Sequence, residues 1–189
     1  MRIKKTKTLK QLYQRLDNLY KDIYSFCSIC KEEDCKGYVW LMPNEAPLLM
    51  DKGIPIVEIN KKIYFIDSFC REYGIINVEK VKPPCRCRGQ TKCLIYKYRP
   101  LICRLYPLDL KIINKRTFII LHTDCLFVQQ LVLKKSISVF LNKVNIEFQN
   151  CEDSLLKKIV NIHEKVNSIS KYPKNYNHKD YIKVLEIQY

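Results

Sequence analysis

The chain has 189 residues, 47% of them hydrophobic, with a formal net charge of +15 and ten cysteines. That length and apolar content suit one folded domain with a sizeable core and exclude a disordered chain. No apolar run is long enough for a transmembrane helix, and no apolar stretch follows the basic N-terminus as a secretory signal requires, so the expected location is cytoplasmic, with no membrane partner.

Leu9, Leu12, Leu16, Leu19, Tyr20 and Ile23 recur at helical spacing, which predicts an amphipathic helix over 9–23, ending near Ser25. A loop carrying Cys27, Cys30 and Cys35 follows. Residues 38–42 read as a short strand, and Pro43-Asn44-Glu45 as a helix start, with Asn44 as cap and Glu45 in the first turn. That helix should close by Gly53. The apolar runs 56–59 and 63–66 flank Asn60-Lys61-Lys62 and predict a hairpin. Pro83-Pro84 then breaks the chain before a second cysteine-rich stretch, 85–106.

Arg99-Pro100 suits a helix opening, and Pro107 its end. Runs 108–113 and 117–122 around Asn114-Lys115 predict a second hairpin. Residues 126–144 and 152–169 read as two amphipathic helices, and 171–180 as a polar loop opening a tail. The expected fold is α+β: small β-hairpins around a cysteine-rich metal centre, with one N-terminal and two C-terminal amphipathic helices. The whole is read as a single domain over 1–189, with a metal-binding core at 26–127, C-terminal helices at 128–170 and a tail at 171–189.

Without export, ten cysteines are expected as thiols rather than disulfides, and their spacing suits metal ligation. Cys27-x2-Cys30 is a two-ligand knuckle, and Cys35 adds a third thiolate. Cys85, Cys87 and Cys93 form a second group; Cys103 and Cys125 are single candidates. Seven or eight ligands exceed one tetrahedral ion and suit an iron–sulfur cluster with spare ligands, or two metal sites; the expected cofactor is a 4Fe–4S cluster or zinc. Cys70 and Cys151 lie outside these groups and read as buried small hydrophobes.

Residues 80–104 carry eight Lys/Arg and no Asp or Glu. Metal-bound cysteines are deprotonated, so this basic segment balances its own thiolates in preference to facing an external anion. Arg99 and Arg104 are expected to neutralise thiolates or bond neighbouring carbonyls. Tyr96, Tyr106 and Trp40 are expected to pack. Glu45 is either a first-turn charge or a site carboxylate. His122, three residues before Cys125, points to the opposite strand face and is not favoured as a ligand.

Certain motifs go further than spacing. C-x2-C-x4-C at 27–35, V-W-L-x3-E at 39–45, and C-x5-C-x-I-Y-x2-R-P-x2-C-R-x-Y-P at 87–107 precede Cys125. Together they resemble the YkgJ-like cysteine-cluster family, described as a zinc- or iron-chelating domain, over about residues 26–127. The family closes its first motif with two adjacent cysteines, whereas Lys36 follows Cys35 here. The resemblance implies a metal-binding protein with a redox or accessory role, and places Glu45, Tyr96, Arg99 and Arg104 around the centre. The cysteine region is also similar to that of the flagellin lysine N-methylase FliB. This similarity implies an alternative in which the chain modifies a protein substrate. A third reading, a zinc-stabilised nucleic-acid binder, needs a solvent-facing stripe such as Tyr96 and Tyr98 beside Lys92, Lys97 and Arg99.

Overall fold

A computed structural model describes residues 5–21, 23, 25, 26, 39–54, 56–60, 62–66, 95–169 and 181–188. The fold is α+β, with six α-helices and two three-stranded antiparallel sheets among the described residues. The chain divides into two compact units: Met1–Cys30, Arg104–Asn161 and His178–Tyr189 make the first; Lys31–Cys103 and Ile162–Asn177 make the second.

In the first unit, helix α1 is Leu9–Leu19. It opens with a capping box, in which the Thr8 hydroxyl accepts from Gln11 N–H while the Gln11 side chain accepts from Thr8 N–H, each at 3.3 Å. Leu12 and Leu16 are fully buried. The helix closes at Tyr20, earlier than the periodicity predicts, and Ile23, Ser25 and Phe26 are helical again. Tyr20 turns its ring onto Phe127 and Phe140, at 6.4 and 6.0 Å between centroids, and its hydroxyl donates to the Leu105 carbonyl at 2.7 Å. A buried phenol needs such an acceptor.

In the second unit, strand β1 (Trp40–Leu41) lies beside β3 (Ile63–Ile66), which pairs with β2 (Ile56–Ile59). Helix α2 (Glu45–Met50) sits between β1 and β2 in sequence and packs against β2. The β2–β3 hairpin has the predicted bounds, with Ile59 opposite Ile63 and Asn60 and Lys62 at positive φ. Glu58 stabilises it by accepting the Lys62 N–H at 2.7 Å. Trp40 is buried, as expected, and stands 6.1 Å from the buried His163 ring.

A 3-10 turn, Tyr96–Tyr98, leads into helix α3 (Leu101–Leu105). Back in the first unit, β4 (Leu108–Ile113) and β5 (Arg116–His122) pair around Asn114-Lys115. Both turn residues have positive φ, 50° and 64°, the handedness that matches strand twist in a two-residue hairpin.

One expectation fails here, and one strand is new. The helix predicted over 126–144 is two helices, α4 (Leu126–Leu133) and α5 (Ile137–Gln149). Lys135 takes φ 55° between them; its N–H donates to Val132 C=O at 3.0 Å and Ser136 N–H to Leu131 C=O at 2.9 Å. This is a Schellman closure with lysine where glycine is usual, so the sequence carries no glycine to mark the break. The last predicted helix is present as α6 (Asp153–Ile169). Beyond residue 180, where the sequence reading assigns no element, the structure adds β6 (Tyr181–Glu186), which pairs antiparallel with β5 and makes it the central strand. The loop expected over 171–180 lies outside the described residues.

The Asn114-Lys115 turn gives a direct test. Glycine adopts positive φ without the Cβ penalty, so Lys115→Gly should stabilise the fold by about 0.5–1 kcal/mol, whereas Lys115→Val should destabilise it by more. Thermal or urea unfolding of the two variants reads the difference.

Candidate functional site

Of the predicted ligands, Cys27, Cys30, Cys35, Cys85, Cys87 and Cys93 lie outside the described residues. The remaining members are Glu45, Tyr96, Arg99 and Cys103 in the second unit, and Arg104 and Cys125 in the first. Among the described residues, no three His, Cys, Asp or Glu side chains gather as a metal site.

Glu45 is the most constrained polar group. Its side chain is buried at 4% exposure. Oε2 accepts the Met42 N–H at 2.7 Å, and Oε1 accepts the Leu101 N–H at 2.6 Å. Met42 is the residue just before the α2 turn; Leu101 is the first residue of α3, directly after Pro100. One carboxylate therefore accepts from the turn that precedes α2 and from the orphan donor at the start of α3, whose first residue is 56 positions away in sequence. The expected Asn44 cap is corrected: its backbone is already helical and its side chain makes no capping bond. An asparagine in that conformation cannot turn its carbonyl back on the first turn, and Glu45 serves the segment instead.

Pro100 and Leu101 are buried beneath this contact. Arg99 is directed away from α3: its Nε donates to Tyr96 C=O at 3.2 Å, and its guanidinium lies 3.7 Å above the Tyr96 ring. The flat cation keeps its charge while covering an aromatic face. Cys103 is half-buried against the cluster of Val39, Leu41, Ala46, Leu49, Ile66 and Ile95. The motif residues Val39, Leu41, Glu45, Ile95, Leu101 and Cys103 thus share one neighbourhood in the second unit.

In the first unit, Arg104 is buried at 8% exposure. Its Nη1 binds both oxygens of the Asp17 carboxylate, and its guanidinium stands 4.8 Å from the Tyr13 ring. Arg104 was expected to neutralise thiolates or bond neighbouring carbonyls; the cysteines before Cys103 lie outside the described residues, and an anion it contacts among the described residues is Asp17. Asp17 was not among the residues that the sequence singled out. The signal available was its spacing, four residues after Tyr13, which sets ring and carboxylate on one side of the helix to receive a guanidinium.

Tyr106 stacks on the buried His122 at 6.1 Å with 22° between planes, and His122 Nε2 lies 3.6 Å from Asp109 Oδ2. Cys125 is buried at the start of α4. Cys151 is buried too, as expected, between α5 and α6, where Thr6 forms a parallel bridge with it. Burial pushes its thiol up to about 11, an effect that Glu147 reinforces and that the Arg15 charge and the Thr6 hydroxyl oppose. Such a thiol is an inert packing group.

No protein-family model, curated protein or solved structure matches the chain significantly.

Three expectations follow. Replacing Glu45 by Gln puts an amide N–H where a backbone N–H needs an acceptor, so Glu45→Gln should cost about 1–3 kcal/mol in urea unfolding and Glu45→Ala more. Asp17→Asn should cost less, because the Asp17 side chain is 44% exposed and water can replace part of the contact. The raised Cys151 pKa is a stability statement: its contribution is complete below the ordinary thiol value of 9.0 and is lost as pH rises through about 11. Stability should therefore decline over that window more in wild type than in Cys151→Ala, as read by urea midpoints at a series of pH values.

Proposed function

We propose that this chain is a cytoplasmic, YkgJ-like cysteine-cluster protein that binds a metal centre, either an iron–sulfur cluster or zinc, in a redox or accessory role. The proposed ligands come from Cys27, Cys30, Cys35, Cys85, Cys87, Cys93, Cys103 and Cys125. Thiolate donors suit both groups; when bound, zinc would cross-link loops, and an iron–sulfur cluster would also carry electrons.

The observation that carries the reading is the Glu45 bridge. Glu45 accepts the Met42 N–H within its own V-W-L-x3-E motif and the Leu101 N–H of R-P-x2-C, so one buried hydrogen bond ties together two motifs that spacing alone leaves apart. Cys103 then emerges from a fixed helix start, which is how a scaffold holds a ligand ready. The engagement of Arg99 with Tyr96 weighs against the nucleic-acid reading, since it occupies one cation and one aromatic face of the exposed stripe that reading needs.

Anaerobic purification followed by metal and acid-labile sulfide analysis and an absorption spectrum tests the proposal. Iron with sulfide and a visible charge-transfer band indicates a cluster, and zinc without sulfide a structural ion. Because metal binding is folding energy, Cys30→Ser and Cys103→Ser should lower both metal content and melting temperature, while Cys151→Ser should leave metal content unchanged. Absence of stoichiometric metal from anaerobically purified protein sinks the reading.

A further inference from the structure

Four of the seven exposed large apolar side chains among the described residues fall within fifteen positions: Val132 (52% exposed), Leu133 (72%), Val139 (57%) and Ile146 (40%). Val132 and Leu133 end α4. Val139 and Ile146 lie seven apart on α5, on one face, with Lys143 between them at helical spacing. Lys134, Lys135 and Lys143 are all exposed, and no Asp or Glu occurs between Asp124 and Glu147. Glu147 is itself engaged, its Oε2 2.5 Å from Arg15 Nη1. The corner thus combines exposed aliphatic residues with cations of a single sign.

The backbone of the corner is closed on itself. Lys134 N–H donates to Gln130 C=O, Lys135 N–H to Val132 C=O and Ser136 N–H to Leu131 C=O, at 2.9–3.0 Å. The Ser136 hydroxyl adds a bond to the Leu131 carbonyl at 3.3 Å. A helix corner with its polar groups satisfied internally enters an apolar boundary without stranding them.

We infer that the α4–α5 corner docks on an anionic lipid surface, with Val132, Leu133 and Val139 in the headgroup–acyl boundary and Lys134, Lys135 and Lys143 on acidic headgroups. Charge complementarity selects this occupant. A second copy seated on the same patch would bring three lysines against three lysines. A nucleic acid could use the lysines for its phosphates but would leave Leu133 and Val139 against its polar backbone, with no exposed aromatic among the described residues of the corner for a base to stack on. A peptide needs a groove or an open strand edge, and this is a closed helix corner. Aliphatic side chains framed by lysine are the signature of an interfacial amphipathic surface. The inference is independent of the metal centre.

Co-sedimentation of the full chain with vesicles tests it. Wild type should bind vesicles of equimolar phosphatidylserine and phosphatidylcholine, less so at high salt, and should not bind phosphatidylcholine alone. Lys134→Glu/Lys135→Glu and Leu133→Ser should each weaken binding by about tenfold or more. Lys157→Glu/Lys158→Glu, an exposed pair on α6, should leave it unchanged, and unchanged thermal melts establish that every variant is folded. Equal weakening by the α6 pair would assign the binding to bulk charge and overturn the inference. So would a lack of binding to the acidic vesicles, or Leu133-dependent binding of a leucine–glutamate peptide by a chain that ignores them.

Discussion

A buried carboxylate with both oxygens committed to backbone N–H groups is an unforgiving constraint. Removing it from water is costly, and the cost is offset only when both acceptor positions are filled with good geometry. Glu45 meets this condition by drawing the turn before α2 and the first residue of α3 to one point. Pro100 sharpens the arrangement: it has no N–H of its own, so Leu101 offers the first donor of the helix. The apolar cluster that includes Leu41, Ala46, Leu49 and Ile95 then assembles around a polar pin instead of around a purely hydrophobic seed. Hydrophobic contacts tolerate sliding; two short hydrogen bonds to one carboxylate do not. Register in this part of the second unit is therefore set by electrostatics and filled in by packing.

The same logic governs the cations nearby. A chain with 34 Lys and Arg against 19 Asp and Glu has to place many positive charges without enough partners. Arg99 uses an aromatic face and a carbonyl; Arg104 uses Asp17 together with the Tyr13 ring. In each case the guanidinium is served by a π surface as well as by oxygen, which lets a planar ion be covered without a full complement of acids. Lys52 and Lys97 repeat the device on Tyr98, at 5.2 and 5.9 Å from the ring centroid. Thirteen tyrosines provide ample surface for it.

The features legible in the sequence were those written as local periodicity. The two hairpins appear at their expected positions because alternation and turn residues both lie within a few positions of each other. Helix α1 and the final helix followed from their apolar stripes. The α4–α5 break was invisible for a specific reason. Lys62, Lys115 and Lys135 all occupy positive φ in a chain with only four glycines, so punctuation that glycine usually supplies is written in lysine. Glu45 was ambiguous and Asp17 was passed over because their partners lie 56 and 87 positions away, a separation that no local pattern encodes. Strand β6 escaped because Lys183 and Glu186 interrupt its apolar residues, and its partner strand lies far upstream in the chain.

That strand has a consequence for how the protein ages. Strand β5 contains the run Phe118-Ile119-Ile120-Leu121, and its residues from Ile119 onward are buried. It pairs with β4 over Arg116–Leu121 on one side and with β6 over Phe118–His122 on the other. Strip away β6, by a protease or a premature stop, and β5 becomes an edge: a row of unpaired N–H and C=O groups on one of the stickiest sequences in the chain. Such an edge accepts a strand from any neighbouring molecule. The outer strand that replaces it in the intact protein carries Lys183, and α5 packs against it. Loss of these few residues would thus convert a well-behaved sheet into a nucleus for intermolecular β-pairing, so the hazard of C-terminal clipping is aggregation rather than mere softening of the fold.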